Sequence, residues 1–151
     1  MASLENNGKN VKKKISSGIV TSGTNLIKNM FIPKDVIEEL SSSPYYLLIF
    51  ITRKEILKIS CFPTETNDIK KILIKLQEFS PDLVKGITKV LNDLEIAKDI
   101  LHTTGLCYDM DNCYYETYLS DVELDIDEIQ NRFMEIAKVL NVKIEEIPTF
   151  K

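Results

Sequence analysis

Glycine-rich loops are missing from this chain. Its five glycines are scattered, and no run of them can cradle a phosphate through backbone N–H groups. Histidine occurs once, at His102, so no pair of imidazoles is at hand for acid–base work. No serine lies in a motif with a histidine and a carboxylate that would make it a nucleophile. Cysteine occurs three times, an odd count too low for a disulfide framework in 151 residues. The longest apolar run, Tyr45 to Ile51, is far too short to span a bilayer. Residues 1–14 are polar and lack the apolar core of a signal peptide. Taken together these absences point away from an enzyme and from a membrane, and towards the cytoplasm.

What is present is a globular composition, 44% hydrophobic and 28% charged, in a chain long enough to bury a core without staples. Isoleucine, lysine and glutamate are used heavily, as in a thermophile or an AT-rich genome. The net charge of −4 is unevenly spread. Residues 1–34 hold six lysines against Glu5, which is +5, so residues 35–151 carry −9. A basic front and an acidic back steer a polyanion to one end. The competing reading of Lys12-Lys13-Lys14 is a solvated tail.

The second half has the clearest order. Ile69 to Glu78 alternates Ile72, Ile74 and Leu76 against Lys71, Lys75 and Gln77, which predicts a strand. Ser80 as N-cap and Pro81 at the first helical position start a helix whose apolar face is Leu83, Val84, Ile87, Val90, Leu91 and Leu94. A hairpin is expected from Ile100 to Leu106 and Cys113 to Leu119, turned through Asp109-Met110-Asp111-Asn112. Asp125, with Glu128 three positions on, opens a second helix with Ile129, Phe133, Ile136, Ala137 and Leu140 inward. Asn141 ends it, and Val142 to Ile147 closes as a strand. This βαββαβ order is the ferredoxin-like plan, so the fold class expected is α+β.

In the first half, residues 1–14 offer nothing to bury and read as a disordered basic tail. Ile15 to Thr24, with a break at Ser22-Gly23, and Leu26 to Ile32 read as strands, the second stopped by Pro33. Asp35 to Leu40 makes one or two helical turns. Tyr45 to Thr52 and Glu55 to Phe62 form a hairpin, and residues 63–67 link to the βαββαβ unit. The stretch Asn29-Met30-Phe31-Ile32-Pro33-Lys34-Asp35-Val36-Ile37-Glu38-Glu39-Leu40, followed by the strand pair to Phe62, resembles the swapped-hairpin domain of the AbrB/SpoVT/MazE family. That resemblance implies a small β module over residues 15–62 that forms as an interleaved dimer and, as in many members, binds DNA; a dimerisation module alone is the rival reading. Lys28 and Asn29 stand where the family usually has a Gly-Arg pair, so a guanidinium fork is replaced by a point charge. The DNA-contacting candidates are Lys12, Lys13, Lys14, Lys28, Asn29 and Lys34.

Residues 68–151 resemble an ACT domain, a regulatory module that often binds amino acids at a dimer interface. The resemblance places a ligand where the first strand meets the first helix, at Glu78, Phe79, Ser80, Pro81 and Asp82, with helix N–H groups free for a carboxylate. Pro81 removes one of those donors, and assembly without a ligand is the rival reading.

Other signals weigh less. His102 on a strand reads as a partly buried, hydrogen-bonded histidine. With Cys107 and Cys113 it makes three potential zinc ligands, but the spacing lacks a second Cys-x-x-Cys. A Cys107–Cys113 cross-strand disulfide is sterically allowed yet disfavoured in a reducing cytosol. Asp109, Asp111 and Asn112 echo a calcium loop without its glycine or its terminal glutamate. Tyr108, Tyr114, Tyr115 and Tyr118 sit among Asp109, Asp111, Glu116 and Asp121, which repel a polyanion, so they read as core or oligomer interface. No metal or cofactor is expected.

The sequence therefore predicts a dimeric or larger DNA-binding transcriptional regulator with an ACT-like ligand-sensing or assembly half, its effector an amino acid. The alternative is a regulatory or scaffolding subunit that binds a small ligand or a protein and never DNA. Lys28 and Lys34 gathered with Lys12 to Lys14 would favour the first. Scattered lysines, with Glu38 and Glu39 on their face, would favour the second.

Overall fold

The computed structural model describes residues 13–29 and 31–151. Lys12, Met30 and the rest of the expected tail up to residue 12 lie outside the described residues. The first part of the chain forms β1 (Ser17–Ser22), α1 (Gly23–Asn29), α2 (Lys34–Glu39), β2 (Tyr45–Arg53) and β3 (Ile56–Thr64). The second forms β4 (Ile69–Leu76), α3 (Pro81–Asp93), β5 (Ile100–Cys107), β6 (Cys113–Ser120), α4 (Ile126–Met134), β7 (Val139–Glu146) and the short β8 (Thr149–Phe150). The result is an α+β protein with two four-stranded sheets, ordered β3-β2-β1-β8 and β5-β6-β4-β7.

The second sheet is antiparallel throughout, with β4 between β6 and β7. Its Ile72, Ile74 and Leu76 point to one side, where Leu83, Ile87, Val90 and Leu91 of α3 and Ile129 and Phe133 of α4 bury them. α3 starts as the sequence requires: Ser80 Oγ accepts from Leu83 N at 3.3 Å, and Pro81 follows at the first helical position. Asp125 caps α4 through Asp127 N. The other side of this sheet faces the first sheet across Val20, Leu47, Ile49, Ile69, Tyr118 and Ile147. A Cβ on Gly18 would lie 3.0 Å from the Tyr118 ring, so glycine lets β1 come close there. Beyond the first sheet, Leu26 of α1 packs on Tyr46 and Leu48. The order of layers is therefore helices, sheet, sheet, helix.

Several local expectations fail for identifiable reasons. Leu26 to Ile32 is not a strand; its first part lies in α1. Ser22 Oγ accepts from Asn25 N at 3.2 Å, so the Ser22-Gly23 break is a helix start. α4 stops at Met134, well before Leu140, which lies in β7 and is exposed. Strand pairing wins there: Val139 pairs with Leu76, Gln77 N donates to Lys138 O, and Lys138 turns the chain at φ 73°. β3 runs on through Pro63 and Thr64, which an edge strand tolerates.

Candidate functional site

The face of the second sheet that looks away from α3 and α4 carries charged and polar side chains beside its apolar cluster. Register fixes its rows: Lys71 lies beside Tyr118 and Glu145, Leu73 beside Glu116 and Lys143, and Lys75 beside Tyr114 and Asn141. Lys71 and Glu116 are each only 1% exposed and form an ion pair of 3.2 Å. Both are buried because a second layer covers this face, which strand alternation alone does not reveal.

That cover includes the segment before β1. Ile15 N donates to Glu116 Oε2 at 2.5 Å, and Ser16 N and Ser16 Oγ donate to Glu116 Oε1 at 3.1 and 2.5 Å. Lys71 Nζ donates to Ser16 O at 2.6 Å and lies 5.5 Å from the centre of the Tyr118 ring. Ser16 Oγ and Tyr118 OH are 2.6 Å apart, within hydrogen-bonding range. Ile15 packs on Leu73 and Tyr114. Burial pulls the Lys71 ammonium below its usual pKa, and Glu116 opposes that shift. Burial pushes the Tyr118 phenol well above the usual range.

Beside the docked segment opens a groove of about 830 Å³. Lys13 and Lys14 of the segment and Lys75 and Lys143 of the sheet line it, against the single carboxylate of Glu145. Glu145 Oε1 pairs with Lys143 Nζ at 3.1 Å. Phe50, Tyr108 and Tyr114 supply aromatic walls, and Tyr108 OH donates to Lys14 O at 3.3 Å. The groove concentrates positive charge next to aromatic surface in a protein that is acidic overall.

The residues singled out by sequence are dispersed. Lys13 and Lys14 line the groove, and Lys12 is outside the described residues. Lys28 lies in the last turn of α1, and Asn29 Nδ2 donates to Asn25 O in that helix. Lys34 begins α2, on the same helix as Glu38 and Glu39. Lys28, Asn29 and Lys34 do not line the groove. The five residues of the β4–α3 corner lie at the helical side of the second sheet. Glu78 pairs with Lys138, Phe79 lies over Gly105 where a Cβ would be 2.3 Å from its ring, Ser80 and Pro81 start α3, and Asp82 sits in its first turn. Sequence reasoning missed Lys75, Lys143 and the Lys71–Glu116 pair. The signal for Lys71 and Lys75 was the period-two charge along β4, unusual on a strand buried on both sides.

Cys107 and Cys113, opposite each other in the β5–β6 ladder, form a disulfide. This corrects the expectation that they stay reduced and occupies two of the three potential zinc ligands. No cluster of three or more His, Cys, Asp or Glu side chains suited to a metal occurs among the described residues. His102 packs its ring 5.2 Å from Phe62, and its buried Nε2 has no hydrogen-bond partner among the described residues. The expectation of a partly buried, hydrogen-bonded histidine therefore finds no bond at Nε2 among the described residues. Burial first, and Lys58 second, lower the His102 pKa.

These features define an α+β protein with a basic groove between a docked segment and its second sheet. No protein-family model matches the chain, and no curated protein does. Among solved structures, an uncharacterized protein from Thermotoga maritima is similar with a TM-score of 0.41 and 16% identity, over 52% of this chain and 95% of that one. No helix among the described residues is long and apolar enough to cross a membrane.

Proposed function

We propose that the protein is a non-catalytic regulatory module that captures an anionic ligand in the groove. The observation that carries this reading is the convergence of Lys13, Lys14, Lys75 and Lys143 on one concave site with a single opposing carboxylate. A cleft of this volume suits a small molecule, whereas duplex DNA is met by a protruding helix or ribbon. The buried Lys71–Glu116 pair holds the segment that walls the groove in a fixed place, so the cations are positioned before a ligand arrives. In this reading residues 68–151 are an ACT-like, ferredoxin-like domain, supported by the strand order β5-β6-β4-β7 with α3 and α4 on one side. The ligand place differs from the β4–α3 corner, whose residues are engaged in structure.

A thermal-shift titration tests it. Pyrophosphate should raise the unfolding midpoint progressively, because a ligand specific to the folded state adds to its stability. The shift should vanish in a Lys75→Glu, Lys143→Glu double variant. No shift with pyrophosphate, citrate or sulfate would sink the proposal.

The second reading is DNA-binding regulation by a homodimer or larger assembly, favoured by Lys13 and Lys14 continuing the Lys12 run into the groove. Its mark would be anisotropy of labelled duplex that falls linearly with log salt, at a slope implying several phosphates. Absence of duplex binding at low salt would leave the small-anion reading alone.

A further inference from the structure

We infer that the ligand class of this groove is a nucleoside diphosphate, a planar base carrying two phosphates. This rests on the anion-binding reading above and narrows it. The charge sets the acid part. Four lysines against Glu145 leave the lining at +3, and a diphosphate ester carries about −3 at neutral pH, more than a monophosphate or an amino-acid carboxylate supplies. No arginine lines the groove, so the planar fork that pairs best with a carboxylate is missing, while flexible ammonium groups suit charge spread over several phosphate oxygens.

The walls set the rest. The partly exposed rings of Phe50 and Tyr108 offer faces on which a base stacks, and stacking accepts any base. Exposed Asn141 offers a donor and an acceptor to a base edge, and Glu145 accepts from sugar hydroxyls. The volume of about 830 Å³ admits such a molecule whole. Tyr108 bridges the two parts of the site, since its hydroxyl holds Lys14 O while its ring forms the wall.

Isothermal titration calorimetry of the full chain with ADP, pyrophosphate and adenosine at fixed ionic strength tests this. ADP should bind at least about tenfold tighter than pyrophosphate, with adenosine undetectable. Lys143→Glu should weaken ADP and pyrophosphate alike, by about tenfold or more. Tyr108→Phe, which drops the hydroxyl that holds Lys14 O and keeps the ring, should weaken ADP and pyrophosphate by the same small factor, and Tyr108→Ala should weaken ADP well beyond pyrophosphate. Equal affinity for ADP and pyrophosphate would overturn the nucleotide class and leave the anion site standing. Binding of neither would remove both. An oligonucleotide of about ten residues that displaces ADP, with affinity growing with its length, would overturn the proposal in favour of a single strand.

Discussion

Glu116 accepts three hydrogen bonds from the N-terminal segment and a fourth contact from Lys71, all out of reach of water. Removing one partner of such a pair strands the other, whereas the gain from the intact pair is offset by desolvation. The two partners are not equivalent. Without Lys71 the carboxylate keeps Ile15 N, Ser16 N and Ser16 Oγ as donors. Without Glu116 the ammonium keeps, among the described residues, Ser16 O, the Tyr118 ring and the more distant Glu145 carboxylate, and two backbone N–H groups lose their acceptor. Glu116→Ala should therefore cost about 3–5 kcal/mol, and Lys71→Met distinctly less. Urea unfolding of both variants at neutral pH decides it, and equal costs would refute the asymmetry. This pair also marks where residue-level reading stops. Period two correctly turns Lys71 away from α3 and α4, but nothing in the local sequence says that residues 13–17 will lie over it. Lys75 and Lys143 were illegible as a site for the same reason: they meet Lys13 and Lys14 only through a long-range fold.

The β5–β6 hairpin is the element on which the groove's aromatic wall depends. Its tip holds Tyr108 between the Cys107–Cys113 bridge and the Asp109–Asn112 turn, where Tyr108 N donates to Asn112 O at 3.0 Å. The bridge closes a short loop with a sequence separation of six, so the entropy it withdraws from the unfolded chain is worth about 2 kcal/mol. β6 is paired on both sides, to β4 and β5, and holds the hairpin without the bridge. A dithiol reductant should therefore lower the thermal midpoint while leaving far-ultraviolet circular dichroism native. Amide exchange should speed up at residues 108–112 and not in β4. An unchanged midpoint, or loss of the whole fold, would contradict this. Elements were legible where local chemistry is decisive, as with Ser80-Pro81 at α3 and Asp125 at α4. They were misread where a distant partner decides, as with residues 139–140, drawn into β7 by β4. In the sequence Ser22-Gly23 reads equally as a strand break, and only the turn of Asn25 N back to Ser22 Oγ makes it a cap.

At the scale of the molecule the two sheets are tied together at three places. Val20, Leu47 and Ile49 share a buried cluster with Ile69, Tyr118 and Ile147. The segment before β1 is fastened to Glu116 and Lys71. The C-terminal β8 returns to pair in parallel with β1, with Val20 N donating to Pro148 O at 2.9 Å. Each tie joins residues more than a hundred positions apart or crosses from one sheet to the other, so neither half can open without exposing apolar surface of its partner. The charge follows the same pattern: the acidic half contributes Lys75 and Lys143 to a basic groove, and a division of charge along the sequence does not survive as a division of surface. Such coupling predicts one cooperative unfolding transition, with tyrosine fluorescence and circular dichroism coincident in urea. Residues 68–151 produced alone would leave Ile69, Tyr118 and Ile147 open and Glu116 without its segment. That fragment should bind a hydrophobic dye and unfold at markedly lower urea than the full chain. Two separated transitions in the full chain, or a fragment as stable as the whole, would mean that the sheets fold independently and that the groove between segment and sheet is not fixed before a ligand binds.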